Sequence, residues 1–381
     1  MNLHRRTVLL GLGALGLTAC GGGALGPRTT ADAGGLPADL RPQPNAAYDN
    51  WVTAFRARAT AQGISSTTLN AGFRGAGYLP GVVRRDRNQT EFTRTLEDYL
   101  AIAASDERVA KGRAAFARHR STLAAVEARY GVPAEIVTAV WGLESFYGER
   151  RGNVPVISST STLAFDGRRG AFFEKQLIAA LKILQSGDTT AQNLKGSWAG
   201  AMGHTQFIPT SYQAFAVDFN GDGRRDIWSD NPADSLASTA AYLSRNGWVK
   251  GVKWGGEVGN NAPAGSVIQP QPGGPKFSVT QNFRVIKRYN NSDSYAIGVG
   301  HLADRIAGGG PIRASFPPDK YGLTKDDRVR LQQRLTARGF DTDGTDGVIG
   351  PNSRKAISSY QASIGLPATG DPSPELLRSL G

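Results

Sequence analysis

Residues 134–148 read AEIVTAVWGLESFYG and directly follow Pro133, a residue suited to the start of a helix. At about 100° per residue, Val137 and Trp141 fall within roughly 60° of Glu144 on a helical wheel. The segment therefore predicts a helix whose apolar stripe carries a carboxylate.

A carboxylate on an apolar face loses hydration when it ionises, so burial raises its pKa. An acid that stays protonated near neutral pH is what general acid catalysis requires. Raising a glutamate pKa from about 4.3 to about 6 costs roughly 2.3 kcal/mol, which a low-polarity pocket lined by Trp141 or Phe146 can impose. The alternative is a Glu144 that is salt-bridged at the edge of the stripe. The helix alone favours that alternative, whereas the rest of the chain favours the acid.

The first nineteen residues resemble a bacterial lipoprotein signal peptide. Arg5 and Arg6 precede a short apolar run at 8–17, and the sequence LTAC ends at Cys20. The run is too short to span a bilayer. The resemblance implies cleavage before Cys20 and lipidation of its thiol, and an ordinary leader with an incidental cysteine is the alternative. Because Cys20 is the only cysteine, no intramolecular disulfide is possible.

Residues 20–47 are rich in glycine, alanine and proline, and they predict a flexible tether between the lipid anchor and the folded part. The protein would then work on the periplasmic side of a membrane. Gly21 stands where inner-membrane lipoproteins carry an aspartate, so the outer membrane is favoured by analogy.

The chain carries a formal net charge of +12, and loss of Arg5 and Arg6 with the leader leaves +10. Such a basic surface favours polyanionic partners, and for an exported protein we expect the cell wall to be that partner. The basic residues are scattered without a run, so we do not expect nucleic-acid binding.

Helical patterns dominate the chain and are separated by two regions rich in glycine and proline. The apolar spacing predicts helices through 48–147 and at 170–185, 234–246 and 295–306. Residues 251–275 predict a long loop or a small β excursion, and 308–318 a linker. A compact helical segment follows at 323–381, which is long enough to fold alone.

Two further segments have compositions typical of binding sites. Residues 196–212 read GSWAGAMGHTQFIPTSY, and glycines among aromatic and hydroxyl side chains suit a wall where backbone approaches a ligand. Residues 218–226 read DFNGDGRRD, which matches the start of an EF-hand calcium loop. The twelfth loop position is Ser229 rather than a bidentate glutamate, so Asp234 would have to close the site. Asx turns without metal are the alternative.

Several spaced motifs together resemble the lytic murein transglycosylase B family over about 48–306. They are EFTRTLEDYL at 91–100, GLES at 142–145, GSWAGAMG at 196–203, QFIPTSY at 206–212, the loop at 218–226, and RYNNS at 288–292. Residues 323–381 resemble the helical type of peptidoglycan-binding domain. The motifs there are LQQRL at 331–335, DGVIGP at 346–351 and GLPATG at 365–370.

The resemblance implies a mainly α (α+β) fold. A lysozyme-like transglycosylase domain with an EF-hand-like loop would occupy 48–308, a linker 309–322, and a small three-helix peptidoglycan-binding domain 323–381. It also implies cleavage, without water, of the β-1,4 bond between N-acetylmuramic acid and N-acetylglucosamine. The products would carry 1,6-anhydromuramic acid ends. No cofactor would be needed for the chemistry, and we expect a monomer.

By position, Glu144 would be the family's single catalytic acid. The residues implied for the sugar groove are Ser197, Gln206, Tyr99, Tyr242, Tyr289, Asn290 and Tyr295. Those implied for structural calcium are Asp218, Asn220, Asp222, the Arg224 carbonyl and Asp234. For each groove residue, and most of all for Ser197, Tyr99 and Tyr242, the alternative is a buried or capping role.

The proposed chemistry agrees with a single carboxylate. A standard glycosidase uses two carboxylates, one as acid and the other as nucleophile or base. A transglycosylase can use one, because the same group first donates a proton and then accepts one. The alternatives are a muramidase-type hydrolase with the same acid and a wall-binding scaffold without catalysis.

Overall fold

The computed structural model describes residues 35–88 and 94–381. The leader, Cys20 and the first part of the predicted tether lie outside the described residues, as do residues 91–93 of the motif at 91–100.

Helices make up most of the described chain. A 3-10 turn at Ala38–Leu40 comes first, and the helices of the larger domain are α1 (Ala46–Ala61), α2 (Ser66–Phe73), α3 (Pro80–Arg87), α4 (Leu96–Ala103), α5 (Asp106–Arg118), α6 (Arg120–Tyr130), α7 (Ala134–Ser145), α8 (Val156–Asp166), α9 (Gly170–Ser186), α10 (Pro209–Phe215), α11 (Ala233–Arg245), α12 (Gln281–Tyr289) and α13 (Asp293–Ile306). The helices of the C-terminal domain are α14 (Lys325–Ala337), α15 (Pro351–Ser363) and α16 (Pro374–Ser379).

Two small sheets complete the larger domain. Strands β1 (Val154–Pro155) and β2 (Lys195–Gly196) pair antiparallel, and β3 (Gly255–Glu257), β4 (Ser266–Ile268) and β5 (Phe277–Val279) form an antiparallel sheet in the order β3-β5-β4. Strands β3 and β4 lie in the region 251–275, which the sequence left open between a long loop and a β excursion, and β5 directly follows it. The β excursion is therefore the correct alternative.

Helix α7 lies at the centre of the larger domain. It begins after Pro133 as predicted, and it packs against α5, α6, α11 and α13. All its residues from Ile136 to Leu143 are buried, so it has no solvated face over that stretch. The sequence predicts burial of one stripe only. The structure buries every side of the helix, as is usual for a helix that is apolar all round. Glu144 thus sits in the last turn of a core helix.

The chain reverses sharply after α7. Phe146 and Tyr147 both have left-handed backbones, with φ of 53° and 60°. The Tyr147 hydroxyl donates to the Arg108 carbonyl of α5 at 2.8 Å, which folds its ring back over Gly142. This turn fixes where the helix ends, and with it the direction of the Glu144 side chain.

We expect Gly142→Ala to destabilise the larger domain. A Cβ at this position would lie 2.6 Å from Cζ of the Tyr147 ring, closer than real contacts allow. Overpacking of this kind costs about 1–3 kcal/mol, more than alanine gains through its helix propensity of about 1 kcal/mol. Thermal unfolding measures the loss. Gly310→Ala is the matched control, since a Cβ there meets open space, and equal stability of the two variants would contradict the packing argument.

A second helical layer packs beside the α7 core. Its buried residues come mainly from α1, α2, α8 and α9, with α8 and α9 in extensive contact. The helices predicted at 170–185, 234–246 and 295–306 are confirmed as α9, α11 and α13. Two core layers therefore meet near the carboxyl end of α7, where the glycine-rich segment also passes.

The part of the predicted tether that the structure describes packs against the larger domain. Leu40 is buried against Leu79 and Val82, and the Gln43 amide donates to the Tyr78 carbonyl at 2.9 Å. Because an apolar side chain at residue 40 gains burial, the chain joins the domain before residue 47. The predicted tether boundary is thus too late by several residues.

The C-terminal domain has its own small core. Leu331 and Leu335 of α14 pack with Ile357 of α15 and Leu376 of α16. This three-helix arrangement is the one that the sequence predicts. Within the described ranges, no helix has both the length and the apolar character that crossing a membrane would need.

Candidate active site

Glu144 projects from the end of α7 into a groove between the two core layers. Its side chain is partly exposed, and its Oε1 accepts a 2.6 Å hydrogen bond from the Tyr295 hydroxyl of α13. Since α13 packs along α7, the two side chains are held by the core of the domain.

Burial changes the ionisation of this carboxyl. The loss of hydration raises the pKa of Glu144 from 4.5 to about 7, and the bond from Tyr295 opposes part of that rise. Burial also raises the pKa of the Tyr295 hydroxyl well above 10, so this group stays a neutral donor. The arrangement keeps a large share of the acid protonated at neutral pH.

The groove holds about 650 Å³ of empty space, including its open mouth. Its lining consists of Glu144, Ala201, Gln206, Phe207, Ile208, Ser211, Tyr242, Arg288, Tyr289 and Asn290. Among these described lining residues, Glu144 is the one acidic side chain. A mechanism that needs two carboxylates in the groove therefore has no second candidate there.

An aromatic cluster forms one wall of the groove. Tyr242 and Tyr289 pack edge to face at 4.9 Å between ring centroids, and Phe207 lies about 6 Å from each. The Tyr289 hydroxyl donates to the Thr205 carbonyl and the Tyr242 hydroxyl to the Arg288 carbonyl, each at 2.7 Å. Both rings are thus fixed in orientation in the groove lining, and aromatic side chains of this kind suit packing against a sugar ring.

Gln206 occupies a constrained position in the lining of the groove. Its backbone is left-handed, with φ of 54°, and its amide nitrogen donates to the Gly203 carbonyl at 2.8 Å and the Arg151 carbonyl at 3.0 Å. Among the described residues its amide oxygen accepts no hydrogen bond. That oxygen is oriented by its neighbours and available to a ligand.

Three residues predicted for the groove are not among its lining residues, although one of them, Tyr295, contacts the groove through its hydrogen bond to Glu144. The Ser197 hydroxyl accepts the Ala201 amide at 3.1 Å, which closes the turn after β2, and Ser197 does not line the groove. Tyr99 is buried behind Tyr295, with its ring against Gly298 of α13. These two side chains have the capping and packing roles that the alternative reading gave them.

The glycines of 196–203 serve backbone packing more than ligand contact. A Cβ on Gly196 would lie 2.1 Å from the Ala201 carbonyl oxygen, and one on Gly203 would lie 2.3 Å from the Ile227 carbonyl oxygen. At Gly196 and Gly203, neighbouring protein backbone occupies the space that a Cβ would take. Ala201 is the residue of this segment that reaches the groove.

Several residues of the lining were not predicted from the sequence. They are Ala201, Phe207, Ile208, Ser211 and Arg288. All five stand inside the motifs that carry the family resemblance. Arg288 is exposed at the mouth of the groove and is the one cation among the described lining residues.

His204 packs beside the turn that follows α7 and hydrogen-bonds to Trp141 of that helix. Its Nδ1 accepts from the Trp141 indole at 3.1 Å, and its Nε2 lies 2.7 Å from the Ser229 carbonyl oxygen. Burial lowers the pKa of His204 to about 4, which keeps the ring neutral and able to bridge these groups. His204 is therefore a packing residue that joins Trp141 of α7 to the segment containing Ser229.

The loop at 218–226 has oxygen atoms at the positions that an EF-hand uses. The Asp218 carboxylate accepts the Gly221 and Gly223 amides at 2.7 and 2.8 Å, and the Asp222 carboxylate accepts the Arg224 amide at 2.9 Å. Asp234 reaches the loop from α11 and accepts the Phe219, Asn220 and Asp226 amides. Two carboxylates, the Asn220 amide and the Arg224 carbonyl provide the hard oxygen donors that calcium prefers.

The Asp234 carboxylate already accepts hydrogen bonds that a metal ion would have to replace. Both its carboxylate oxygens are engaged with loop amides, and burial raises its pKa. Across 35–88 and 94–381, no three acidic, histidine or cysteine side chains converge on one point in metal-binding geometry. The donor chemistry of the loop fits calcium, whereas Asp234 as described organises the loop.

Comparisons with known families match both parts of the chain. The model of the transglycosylase SLT domain matches residues 47–267 and 259–304. The model of a peptidoglycan binding domain matches residues 324–380. Together these two models span nearly all of the described helices.

Individual relatives agree with the family models. The membrane-bound lytic murein transglycosylase B of Escherichia coli (strain K12) is 32% identical over an alignment of 215 residues, which covers 47% of this chain and 58% of that protein. Pseudomonas aeruginosa SltB3, solved in complex with NAG-anhNAM-pentapeptide, is 45% identical with a TM-score of 0.69 over 88% of this chain and 100% of that one. Escherichia coli Slt35, solved in complex with calcium, is 27% identical with a TM-score of 0.59 over 69% of this chain and 93% of that one.

Proposed function

The chain belongs to the transglycosylase SLT domain family of lytic transglycosylases, and we propose on that basis that it cleaves peptidoglycan at the β-1,4 bond between N-acetylmuramic acid and N-acetylglucosamine. The observation that carries the proposal is the single acid of the groove, Glu144. Burial raises the pKa of this carboxyl to about 7, although the hydrogen bond from Tyr295 opposes part of the rise. The C-terminal helices α14–α16 would bind the same polymer, and we call them the wall-binding domain.

Glu144 would act first as an acid and then as a base. Its proton goes to the glycosidic oxygen as the bond from that oxygen to the muramic acid C1 breaks. The carbonyl oxygen of the substrate's own N-acetyl group relieves the positive charge at C1. The Glu144 carboxylate then takes the proton of the 6-hydroxyl while O6 bonds to C1 and displaces the acetamido oxygen. A 1,6-anhydro ring closes, Glu144 regains its proton, and no water is consumed.

The groove contributes orientation to both steps. The fixed rings of Tyr242 and Tyr289 would stack on the sugars, and the oriented amide oxygen of Gln206 would accept from a sugar hydroxyl or N-acetyl N–H. Tyr295 would hold the carboxyl in one position and stabilise the carboxylate that forms between the steps. Removing the donor that faces a developing charge is expected to slow the step in which the charge appears.

Product analysis in water enriched in oxygen-18 tests the proposal. Purified sacculi are digested, and the masses of the released fragments are measured. We expect anhydro ends without the heavy isotope, since O6 of the sugar closes the ring. Reducing muramic acid ends that carry oxygen-18 would identify a muramidase-type hydrolase instead.

We propose calcium as a structural ligand of the loop at 218–226. The ligands would be Asp218, Asn220, Asp222 and the Arg224 carbonyl, with Asp234 closing the site after it releases loop amides. Support comes from the oxygen positions of the loop and from the family relative solved with calcium. Calcium would stabilise the loop and would take no part in the chemistry.

We expect calcium to raise the melting temperature of the protein and magnesium to raise it less. A ligand at about 100 times its dissociation constant stabilises the folded state by about 2.7 kcal/mol. Thermal unfolding with each cation in turn measures the shift. Asp222→Asn should reduce the calcium shift, while Asp343→Asn, in an exposed turn of the wall-binding domain, should leave it unchanged. No calcium-specific shift in the unaltered protein would refute the site.

We propose further that Cys20 carries the lipid anchor, which would place the protein on the periplasmic side of a membrane and in the outer membrane by analogy. The leader sequence and the membrane-bound relative support this proposal. Labelled palmitate supplied to producing cells should enter the protein and be lost in Cys20→Ser. Equal labelling of both proteins would refute the anchor.

A further inference from the structure

Arg328 of α14 is buried although it is charged. Its side chain is 2% exposed. Inside the C-terminal part of the chain, its Nε donates to the Gly347 carbonyl at 2.6 Å. Its Nη1 donates to the Leu323 carbonyl at 3.1 Å and to Asp319 Oδ2 at 3.3 Å. These bonds fix the guanidinium at the edge of the wall-binding domain.

The remaining nitrogen of Arg328 crosses to the larger domain. Nη2 donates to Glu97 Oε2 at 2.7 Å and to Asp98 Oδ1 at 3.0 Å, both on the first turn of α4. The Glu97 and Asp98 side chains are 11% and 24% exposed. Three carboxylates therefore converge on one buried cation, and two of them belong to the other domain.

The linker is held on the same face of the larger domain. The Glu257 carboxylate of β3 accepts the Arg313 and Ala314 amides at 2.6–3.0 Å. Ile312 and Phe316 pack against the core that contains α7. The contact between the domains thus continues along the linker from β3 to α4.

Helix α4 connects the contact with Arg328 to the surroundings of Glu144. It carries Tyr99, whose ring lies against Gly298 of α13. Tyr295, the hydrogen-bond donor to Glu144, lies on α13 one turn before Gly298. The wall-binding domain is therefore docked on the helix that backs the catalytic groove.

We propose that Arg328 docks the wall-binding domain on α4 in one fixed orientation, so that this domain and the groove engage a single peptidoglycan strand as one rigid unit. Arg328 is then a positioning residue for the cleavage of polymeric wall. The identity of the polymer rests on the proposed function, whereas the docking itself rests on the contacts alone.

Loss of the guanidinium would leave three carboxylates close together without a cation, and breaking a buried pair in this way is strongly unfavourable. The domains would then separate on the linker. Because Ala314 and Phe316 hold the first part of the linker on the larger domain, the motion would run through residues 317–322, whose end-to-end distance as a flexible segment is roughly 13 Å, and this lowers the effective concentration of one binding site near the other. Long polymers would lose the benefit of two-site binding, and short fragments that fill only the groove would not.

Arg328→Met in the full chain tests the proposal, with Arg330→Met as the matched control. Arg330 lies on the same helix but is 58% exposed and pairs with Asp327 of its own domain. We expect Arg328→Met to increase the radius of gyration in small-angle scattering and to speed proteolysis of the linker. Its rate on sacculi should fall about 3- to 10-fold while its rate on a short soluble glycan fragment stays unchanged. Arg330→Met should match the unaltered protein in every readout.

A second variant covers the case in which Arg328→Met unfolds the wall-binding domain. The double change Glu97→Gln with Asp98→Asn removes the partners on α4 and leaves the bonds of Arg328 to Asp319, Leu323 and Gly347 in place. We expect the same expansion and the same selective loss on sacculi. A double variant that stays compact and cleaves sacculi at the unaltered rate would overturn the proposal. Failure of the unaltered protein to cleave either substrate would instead refute the proposed function, and scattering would still test the docking.

Discussion

Glu144→Gln is expected to abolish cleavage while the protein still binds sacculi. The amide has nearly the shape of the acid but can neither give a proton to the leaving oxygen nor take one from the 6-hydroxyl. Each such transfer is worth about 10²- to 10⁴-fold in rate, so a loss of at least about 10³-fold is expected when one group performs both. Release of soluble fragments from sacculi measures the rate, and co-sedimentation measures binding.

Glu135→Gln is the control for this experiment. Glu135 stands in the first turn of the same helix, outside the groove, and its replacement should leave the rate unchanged. Cleavage by the Glu144→Gln protein at the unaltered rate would contradict the assignment. A biological effect that persists without cleavage would favour the non-catalytic scaffold.

Glu144→Gln should also be more stable than the unaltered protein in mild alkali. The folded-state pKa of Glu144, about 7, lies above the ordinary value of 4.5, so the folded state binds this proton more tightly than the unfolded chain does. Stability is therefore lost as the pH rises from about 4.5 to about 7, by up to about 3 kcal/mol for a shift of this size. Glutamine carries no charge and avoids that loss. A higher melting temperature of Glu144→Gln at about pH 8 would also show that its inactivity is not caused by unfolding.

Tyr295→Phe is expected to move the pH dependence of cleavage and to slow it. The hydroxyl bond lowers the pKa of Glu144, so its removal should raise that pKa further above 7. Because the first step needs the protonated acid, the alkaline fall in rate should shift to higher pH. The plateau rate should fall by about 10-fold or more, since the carboxyl loses its orienting partner and the carboxylate formed between the steps loses its donor.

Tyr242→Phe is the matched control for the pH shift. It removes a hydroxyl from the same groove, but that hydroxyl bonds to the Arg288 carbonyl and does not touch Glu144. This variant should leave the alkaline fall where it is. An unshifted profile in Tyr295→Phe would mean that its hydrogen bond does not govern the ionisation of the acid.

The central part of the site follows from local sequence. The period of 3.6 residues along 134–148 places Glu144 beside apolar neighbours, and burial then raises its pKa through loss of hydration. Gln206, Tyr242, Tyr289 and Asn290 were implied by the family resemblance, and the structure places all four in the groove with Glu144. Their roles in binding sugar remain proposals.

Other features depend on contacts that local sequence does not specify. Ser197 caps a turn because the Ala201 amide comes within reach of its hydroxyl, a detail of loop geometry. Tyr99 lies behind Tyr295 because α4 packs on α13, two helices almost 200 residues apart. Arg328 meets Glu97 across 231 residues, and the patterns near either residue give no sign of the other. Pairings over such separations appear only when the fold brings the elements together.

A titration of the Glu144 carboxyl would show whether this group keeps its proton near neutral pH. Protein labelled with carbon-13 at the glutamate side-chain carboxyls is followed by NMR across the pH range, and the Glu144→Gln spectrum identifies the resonance. We expect a midpoint near 7, raised by burial in the intact fold. A midpoint close to the ordinary value of 4.5, in a protein that remains folded and active, would contradict this expectation.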